Sequence, residues 1–239
     1  MSLTTWTPAA IASKATHFTE TLCRFVVKNS HSSIAKITDS NDELIRVENA
    51  ITRQVNNFDN EFADLHPLMK LPFIAKAYPG GSRFRGQFDA GVFYGANTIE
   101  TAAAERGYHH HVFVRDSPGL VNSGATPFTF FTVKISMKLV DVRKVPFSKH
   151  PSVFYNKKSY ADSQRFASSV RESDVPGIKY ASVRNLNKGS CVAMFSPSGF
   201  ELRQPTTLDE YWLCLADSNG ARWINNSVAH TNKNMQFTY

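Results

Sequence analysis

Phe131-Thr132-Val133-Lys134-Ile135-Ser136-Met137-Lys138-Leu139 alternates an apolar with a polar side chain at every step. Successive side chains of a strand point to opposite faces, so this period of two predicts a strand with one buried face. Downstream lie short apolar runs at 178–183, 190–195 and 211–216, set between the turn signals Pro176-Gly177, Lys188-Gly189 and Ser218-Asn219-Gly220. They predict further strands, with a weaker helical pattern at 160–171 before them. Upstream the periodicity changes. Ser40 and Glu43 form a capping box, and Leu44, Val47, Ile51, Val55 and Phe58 recur at helical steps, predicting an amphipathic helix over 41–57. Leu71-Pro72-Phe73 breaks that pattern, and Gly91-Val92-Phe93-Tyr94 predicts a short strand. Asn97, with Glu100 three positions on, then opens a short helix through Thr101-Ala102-Ala103-Ala104-Glu105. Helices early and strands clustered late predict a single α+β domain: central mixed or antiparallel sheets flanked by helices. We divide it into an N-terminal helical segment packed on the core (1–70), the core (71–225) and a C-terminal tail (226–239).

Composition agrees with a self-sufficient core. The chain has 239 residues, 42% hydrophobic and 12% aromatic, enough to fold without staples. Cys23, Cys191 and Cys214 are odd in number and form no Cys-x-x-Cys pair, so reduced thiols are expected rather than disulfides or a cysteine zinc site. No apolar stretch reaches the ~18 residues of a membrane span, and Met1 to Pro8 lacks the pattern of a signal peptide. A cytoplasmic protein without a membrane partner is the expectation. The net charge of +7 favours anionic partners. The basic residues are nevertheless scattered, with Lys157-Lys158 the nearest approach to a block, so direct nucleic-acid binding gains no support from clustering.

Chemistry concentrates between Gly80 and His111. Tyr78-Pro79-Gly80-Gly81-Ser82 marks a loop that runs into Arg83-Phe84-Arg85. A guanidinium fork suits a pyrophosphate, and glycines let a backbone approach a ligand, so Arg83 and Arg85 read either as solvated loop arginines or as a phosphate clamp. Tyr94 reads as a core aromatic or as a ring that stacks on a flat heterocycle. Glu105 falls in the last turn of the short predicted helix, on the polar face of Thr98 and Thr101, either solvated or aimed into a cleft. His109-His110-His111, on an extended segment, would put His109 and His111 on one face. Two ligands without a third make a weak metal site, and no metal is expected. The phosphate loop, the dinucleotide fingerprint, His-Glu-x-x-His and the Gly-x-Ser-x-Gly elbow are all missing.

The run Gly81-Ser82-Arg83-Phe84-Arg85, then Gly91-Val92-Phe93-Tyr94-Gly95-Ala96, then Glu100 to Glu105 resembles the RES domain, named for scattered arginine, glutamate and serine residues. Gly177-Ile178-Lys179-Tyr180-Ala181-Ser182-Val183-Arg184 and Gly189 to Phe195 look like the segment that brings the family's serine. The likeness spans about residues 25 to 225. It implies an ADP-ribosyltransferase-like fold and an NAD-consuming toxin paired with an antitoxin protein. By motif, Arg83, Tyr94, Glu105 and Ser182 become the catalytic and NAD-binding residues, with Arg85 the competing arginine. The string Arg171-Glu172-Ser173 matches the family's letters by coincidence and receives no role. Similar long members carry an arginine soon after the Leu-Pro-Phe-like segment, where this chain has Ile74, Ala75 and Lys76.

The implied chemistry begins by breaking the bond between nicotinamide and ribose. The leaving group departs neutral from a cationic ring, so no proton is needed and the demand is to stabilise an oxocarbenium-like ribose. In that scheme Glu105 offsets the developing charge, Arg83 clamps the pyrophosphate, Tyr94 stacks on nicotinamide and Ser182 bonds a ribose or amide group. NAD is consumed as substrate, so no redox cofactor or metal is implied. Water, phosphate or a protein acceptor of ADP-ribose would use much the same site, and loops flanking 86–90 and 116–126 are natural contact regions for a protein target. The rival class is a non-catalytic module binding nucleic acid or another anion through its positive charge.

Overall fold

The computed structural model describes residues 6–28, 62–74, 79–117, 124–225 and 234–239. The helix predicted at 41–57 lies outside them. Among the described residues there are eight strands: β1 Ala15–Val27, β2 Phe93–Ala96, β3 Thr126–Asp141, β4 Gly177–Ala181, β5 Ser190–Met194, β6 Thr207–Ala216, β7 Gly220–Asn225 and β8 Asn234–Thr238. The helices are α1 Pro8–Ala12, α2 Pro67–Ile74, α3 Ile99–Arg115, α4 Pro151–Phe154 and α5 Ala161–Glu172. The α+β architecture expected from the sequence is the one observed.

The alternating stretch is the spine. On β3, Val133, Ile135, Met137 and Leu139 are buried while Lys134 and Lys138 face solvent, as the period of two requires. β3 pairs antiparallel with β1 from Ala15↔Val140 to Val27↔Phe128, antiparallel with β6, and parallel with β4 at Val140↔Ile178. The sheet order is β1-β2-β5-β4-β3-β6-β7-β8, and the extra β1–β3 pairing closes the first five strands on one another. One core, with Leu22, Phe93, Phe131, Ile135 and Val192, is covered by Leu65 and Met69. The second, with Phe25, Phe128, Trp212 and Trp223, is covered by Ala102 and Ala103 of α3 and Phe166 of α5.

The structure corrects several expectations. The segment 1–70 is not simply helical: β1 is a central strand of 13 residues. Its Thr16, Thr19, Thr21, Val26 and Val27 are β-branched, and the long partner β3 supplies the pairing that the local pattern does not advertise. Helix α2 runs through Pro72, where a break was expected. The residues 234–238 of the expected tail form β8, paired with β7.

The helix carrying Glu105 is the largest revision. It starts after Thr98, whose hydroxyl accepts from the Thr101 amide at 3.2 Å, and runs for 17 residues. Glu105 is therefore mid-helix, and His109, His110 and His111 are helical rather than extended. Gly107 lowers helix propensity, but tertiary contact overrides it. A Cβ there would meet the Tyr239 hydroxyl at 2.8 Å and Trp223 Nε1 at 3.0 Å. The missing side chain lets Trp223 Nε1 donate to the Ala103 carbonyl at 3.1 Å and the Tyr239 hydroxyl to the Ala104 carbonyl at 2.7 Å.

Candidate active site

Helix α3 presents a polar stripe at steps of three and four: Thr98, Thr101, Glu105 and Tyr108. Facing it is the turn after β4, residues 182–189. The Ser182 hydroxyl donates to Glu105 Oε1 at 2.5 Å and accepts from the backbone amides of Arg184 at 3.1 Å and Asn185 at 2.9 Å. Asn185 Nδ2 donates to Thr101 Oγ1 at 3.0 Å, and the two threonine hydroxyls bond each other at 2.9 Å. Turn and helix are thus stapled at two points one helical turn apart. Gly189 is required here, because a Cβ would lie 2.0 Å from Thr101 Oγ1.

Glu105 is only half buried. Among the described residues it forms no ion pair, and its second oxygen has no protein partner. Below it Tyr180 and Cys191 face each other across β4 and β5. Burial pushes both acids well above their ordinary ranges, and the negative charge of Glu105 adds to the effect. The floor is therefore uncharged, and Cys191 is a protonated thiol rather than a nucleophile.

The loop before β2 is tightly built. Gly80 and Gly81 sit at φ of +73° and +66°, and a Cβ on Gly81 would strike the Arg85 carbonyl at 2.1 Å. Gln164 of α5 donates to the carbonyls of Gly80, Ser82 and Arg85, binding the loop to that helix. The Tyr94 hydroxyl bonds Ser82 Oγ at 2.8 Å and accepts from the Phe84 amide at 3.1 Å, which fixes its ring at the end of β2. Burial raises its phenol above the usual value.

The loop arginines are committed to the protein. Arg83 is 8% exposed; its Nη1 donates to the carbonyls of Phe154 at 2.7 Å and Asn156 at 3.0 Å, and its guanidinium lies 4.8 Å from the Tyr160 ring centroid. Arg85, also buried, donates from Nε to the Asp89 carbonyl at 3.1 Å. Arg171, to which the sequence assigned no role, is structural: it donates to the Phe84 carbonyl at 2.8 Å, pairs with Asp89 at 3.3 Å and covers the Phe195 ring at 4.0 Å.

The structure therefore brings Glu105 and Ser182 into contact and places Arg83 on the loop before β2, with Tyr94 on β2 bonded to that loop through its hydroxyl. Sequence reasoning missed Thr101 and Asn185, although the Thr98–Thr101–Glu105 spacing was a signal for the first. The histidines disperse around α3: His110 packs its ring on Phe128 at 5.4 Å, His111 Nδ1 donates to the Asp217 carbonyl at 2.6 Å, and His109 stays exposed. Among the described residues no cluster of three metal-ligating side chains forms. Nor is any helix there long and apolar enough to cross a membrane.

Comparison with known proteins completes the description. A family model described as the RES domain matches residues 60–216. No curated protein matches. Among solved structures, a chain of the M. tuberculosis MbcT-MbcA toxin-antitoxin complex aligns at 8% identity with a TM-score of 0.49, covering 85% of this chain and 90% of that one.

Proposed function

The chain belongs to the RES domain family, and from that premise we propose that it is an NAD-cleaving toxin of a toxin–antitoxin pair, built on an ADP-ribosyltransferase-like fold, that breaks the nicotinamide–ribose bond. The observation that carries this reading is the Glu105 carboxylate, held through one oxygen by Ser182, with no cation paired to it and its other oxygen without a protein partner among the described residues. A carboxylate so placed is free to meet ribose hydroxyls and the positive charge that grows as nicotinamide leaves.

In this mechanism Ser182 is chiefly a positioning group. Its hydroxyl proton is directed to Glu105 and its lone pairs take two backbone amides, so it orients the carboxylate while the turn anchors it. Tyr94, with its hydroxyl tied back to Ser82 and Phe84, offers a fixed ring against which the nicotinamide stacks. Arg83 shapes the cleft by holding the chain at Phe154 and Asn156 and adds positive potential. The uncharged floor of Tyr180 and Cys191 keeps the carboxylate's field undivided. NAD is the substrate, no metal takes part, and an antitoxin protein is the expected partner.

The test is to incubate the protein with NAD, with and without inorganic phosphate, and to follow nicotinamide and the ADP-ribose product by mass. Phosphate-independent release is the result of a hydrolase, and phosphate-dependent release that of a phosphorylase. ADP-ribose appearing only on an added protein identifies a transferase. A folded protein that releases no nicotinamide in any arm overturns the reading and leaves an anion-binding module.

A further inference from the structure

A dinucleotide substrate carries a pyrophosphate, and a cleft that holds it needs a cation with donors to spare. Arg83 and Arg85 are buried, with Arg83 Nη1 on the Phe154 and Asn156 carbonyls and Arg85 Nε on the Asp89 carbonyl, and Arg171 is turned onto the Phe84 carbonyl, the Phe195 ring and Asp89, so each is at least partly committed to the protein. Arg184 differs. It lies two residues beyond Ser182 on the turn that faces α3, and it is half exposed. Its guanidinium rests 3.4 Å from the centroid of the Tyr108 ring, one helical turn from Glu105. Among the described residues the guanidinium makes one hydrogen bond, a long one from Nη2 to the Lys157 carbonyl at 3.4 Å, and no carboxylate pairs with it.

We infer that Arg184, laid on the Tyr108 ring one helical turn along α3 from Glu105, is an anion-binding group of the site and takes the pyrophosphate of the dinucleotide. The inference rests on the proposed NAD reading for the identity of the ligand, while the subsite itself rests on geometry. Stacking on an aromatic face leaves the edge of a guanidinium, where its N–H groups lie, free for bidentate contact with phosphate oxygens. The ring beneath also limits the rotamers of Arg184, so less side-chain freedom is lost when an anion arrives. The exposed Lys157 ammonium on the neighbouring segment adds charge of the same sign.

The experiment is calorimetric titration of inorganic pyrophosphate and of NAD into the Glu105→Gln protein, alone and combined with Arg184→Ala, Arg184→Lys or the control Lys138→Ala, which removes an exposed cation from β3. Thermal unfolding verifies that each variant folds. Arg184→Ala is expected to weaken both ligands by about tenfold or more, the usual consequence of losing a charge-assisted bond. Arg184→Lys should weaken them less, because it keeps the charge and loses the fork, and Lys138→Ala should leave both titrations unchanged. Arg184→Ala proteins that bind as tightly as their parent overturn the inference, as does a parent that binds neither ligand. If the parent binds pyrophosphate through Arg184 but not NAD, the subsite stands and the NAD reading falls. If the parent binds NAD and Arg184→Ala changes nothing, the reverse holds.

Discussion

Two loops rich in polar residues, 80–89 and 182–189, are built in opposite ways. In the loop from Gly80 to Asp89 the side chains turn inward: Arg83 spans two carbonyls, Arg85 bonds Asp89, and Gln164 reaches in to bond three more carbonyls. In the turn from Ser182 to Gly189 the backbone satisfies itself through Ser182 and Asn185, and the chemical groups point toward the helix that carries Glu105. A residue's chemistry is thus a poor guide to ligand contact until its donors have been counted. A buried guanidinium that satisfies backbone carbonyls is first a structural part.

The comparison breaks first at Glu105. Glu105→Gln should lower nicotinamide release by about 10²-fold or more, in keeping with the loss of one group that stabilises transition-state charge. The protein should remain folded, because glutamine is a good helix former, and circular dichroism with thermal unfolding checks that. Arg83→Ala should act on stability instead. It leaves the buried Phe154 carbonyl without its donor, at about 1–3 kcal/mol, while the carbonyl of the exposed Asn156 can turn to water. Urea unfolding should show that loss, while Arg184→Ala, at a half-exposed site, should stay within about 0.5 kcal/mol of the parent.

The far face of α3 supplies a pH contrast. Burial, reinforced by Arg106, lowers His110 from an ordinary 6.5 to about 4. Its folded value is depressed, so the unfolded chain takes the proton first. Stability should therefore fall as pH drops from about 6.5 toward 4, by up to about 1.4 kcal/mol per pH unit for this one group. Unfolding measured across that window should be less steep for His110→Phe than for the parent; an identical slope would show that His110 is not responsible. The smallest expected effect is at the staple. Thr101→Val removes the acceptor for Asn185 and should cost about 1 kcal/mol of stability, with a severalfold fall in turnover and little change in the Michaelis constant. A change in that constant alone would instead place Thr101 in substrate binding.

The strand pattern at 131–139 was plain because one side of β3 is covered and the other is wet, and period two survives only under that condition. Strand β1 was illegible for the converse reason: its identity as a strand depends on a partner more than a hundred residues away. The full extent of α3 was hidden by Gly107, which local propensity penalises and which Trp223 and Tyr239 exploit. For the site, residue types and order carried Glu105 and Ser182, and the structure brings them into direct contact. What motif reasoning could not supply was the direction of Arg83, since no local pattern announces that carbonyls at 154 and 156 will take its Nη1 donors. Arg184 lay in the quoted serine segment without a role, because only the fold sets it on Tyr108.

The central claim is that the α3 carboxylate and the turn opposite it form one substrate cleft. A crystal structure of Glu105→Gln grown with NAD tests it most directly. The account predicts the ribose of the nicotinamide half against residue 105, the ring on Tyr94 and the pyrophosphate on Arg184, with Arg83 still bonded to Phe154 and Asn156. NAD bound away from residue 105, or its pyrophosphate held by an Arg83 that has left those carbonyls, would contradict it.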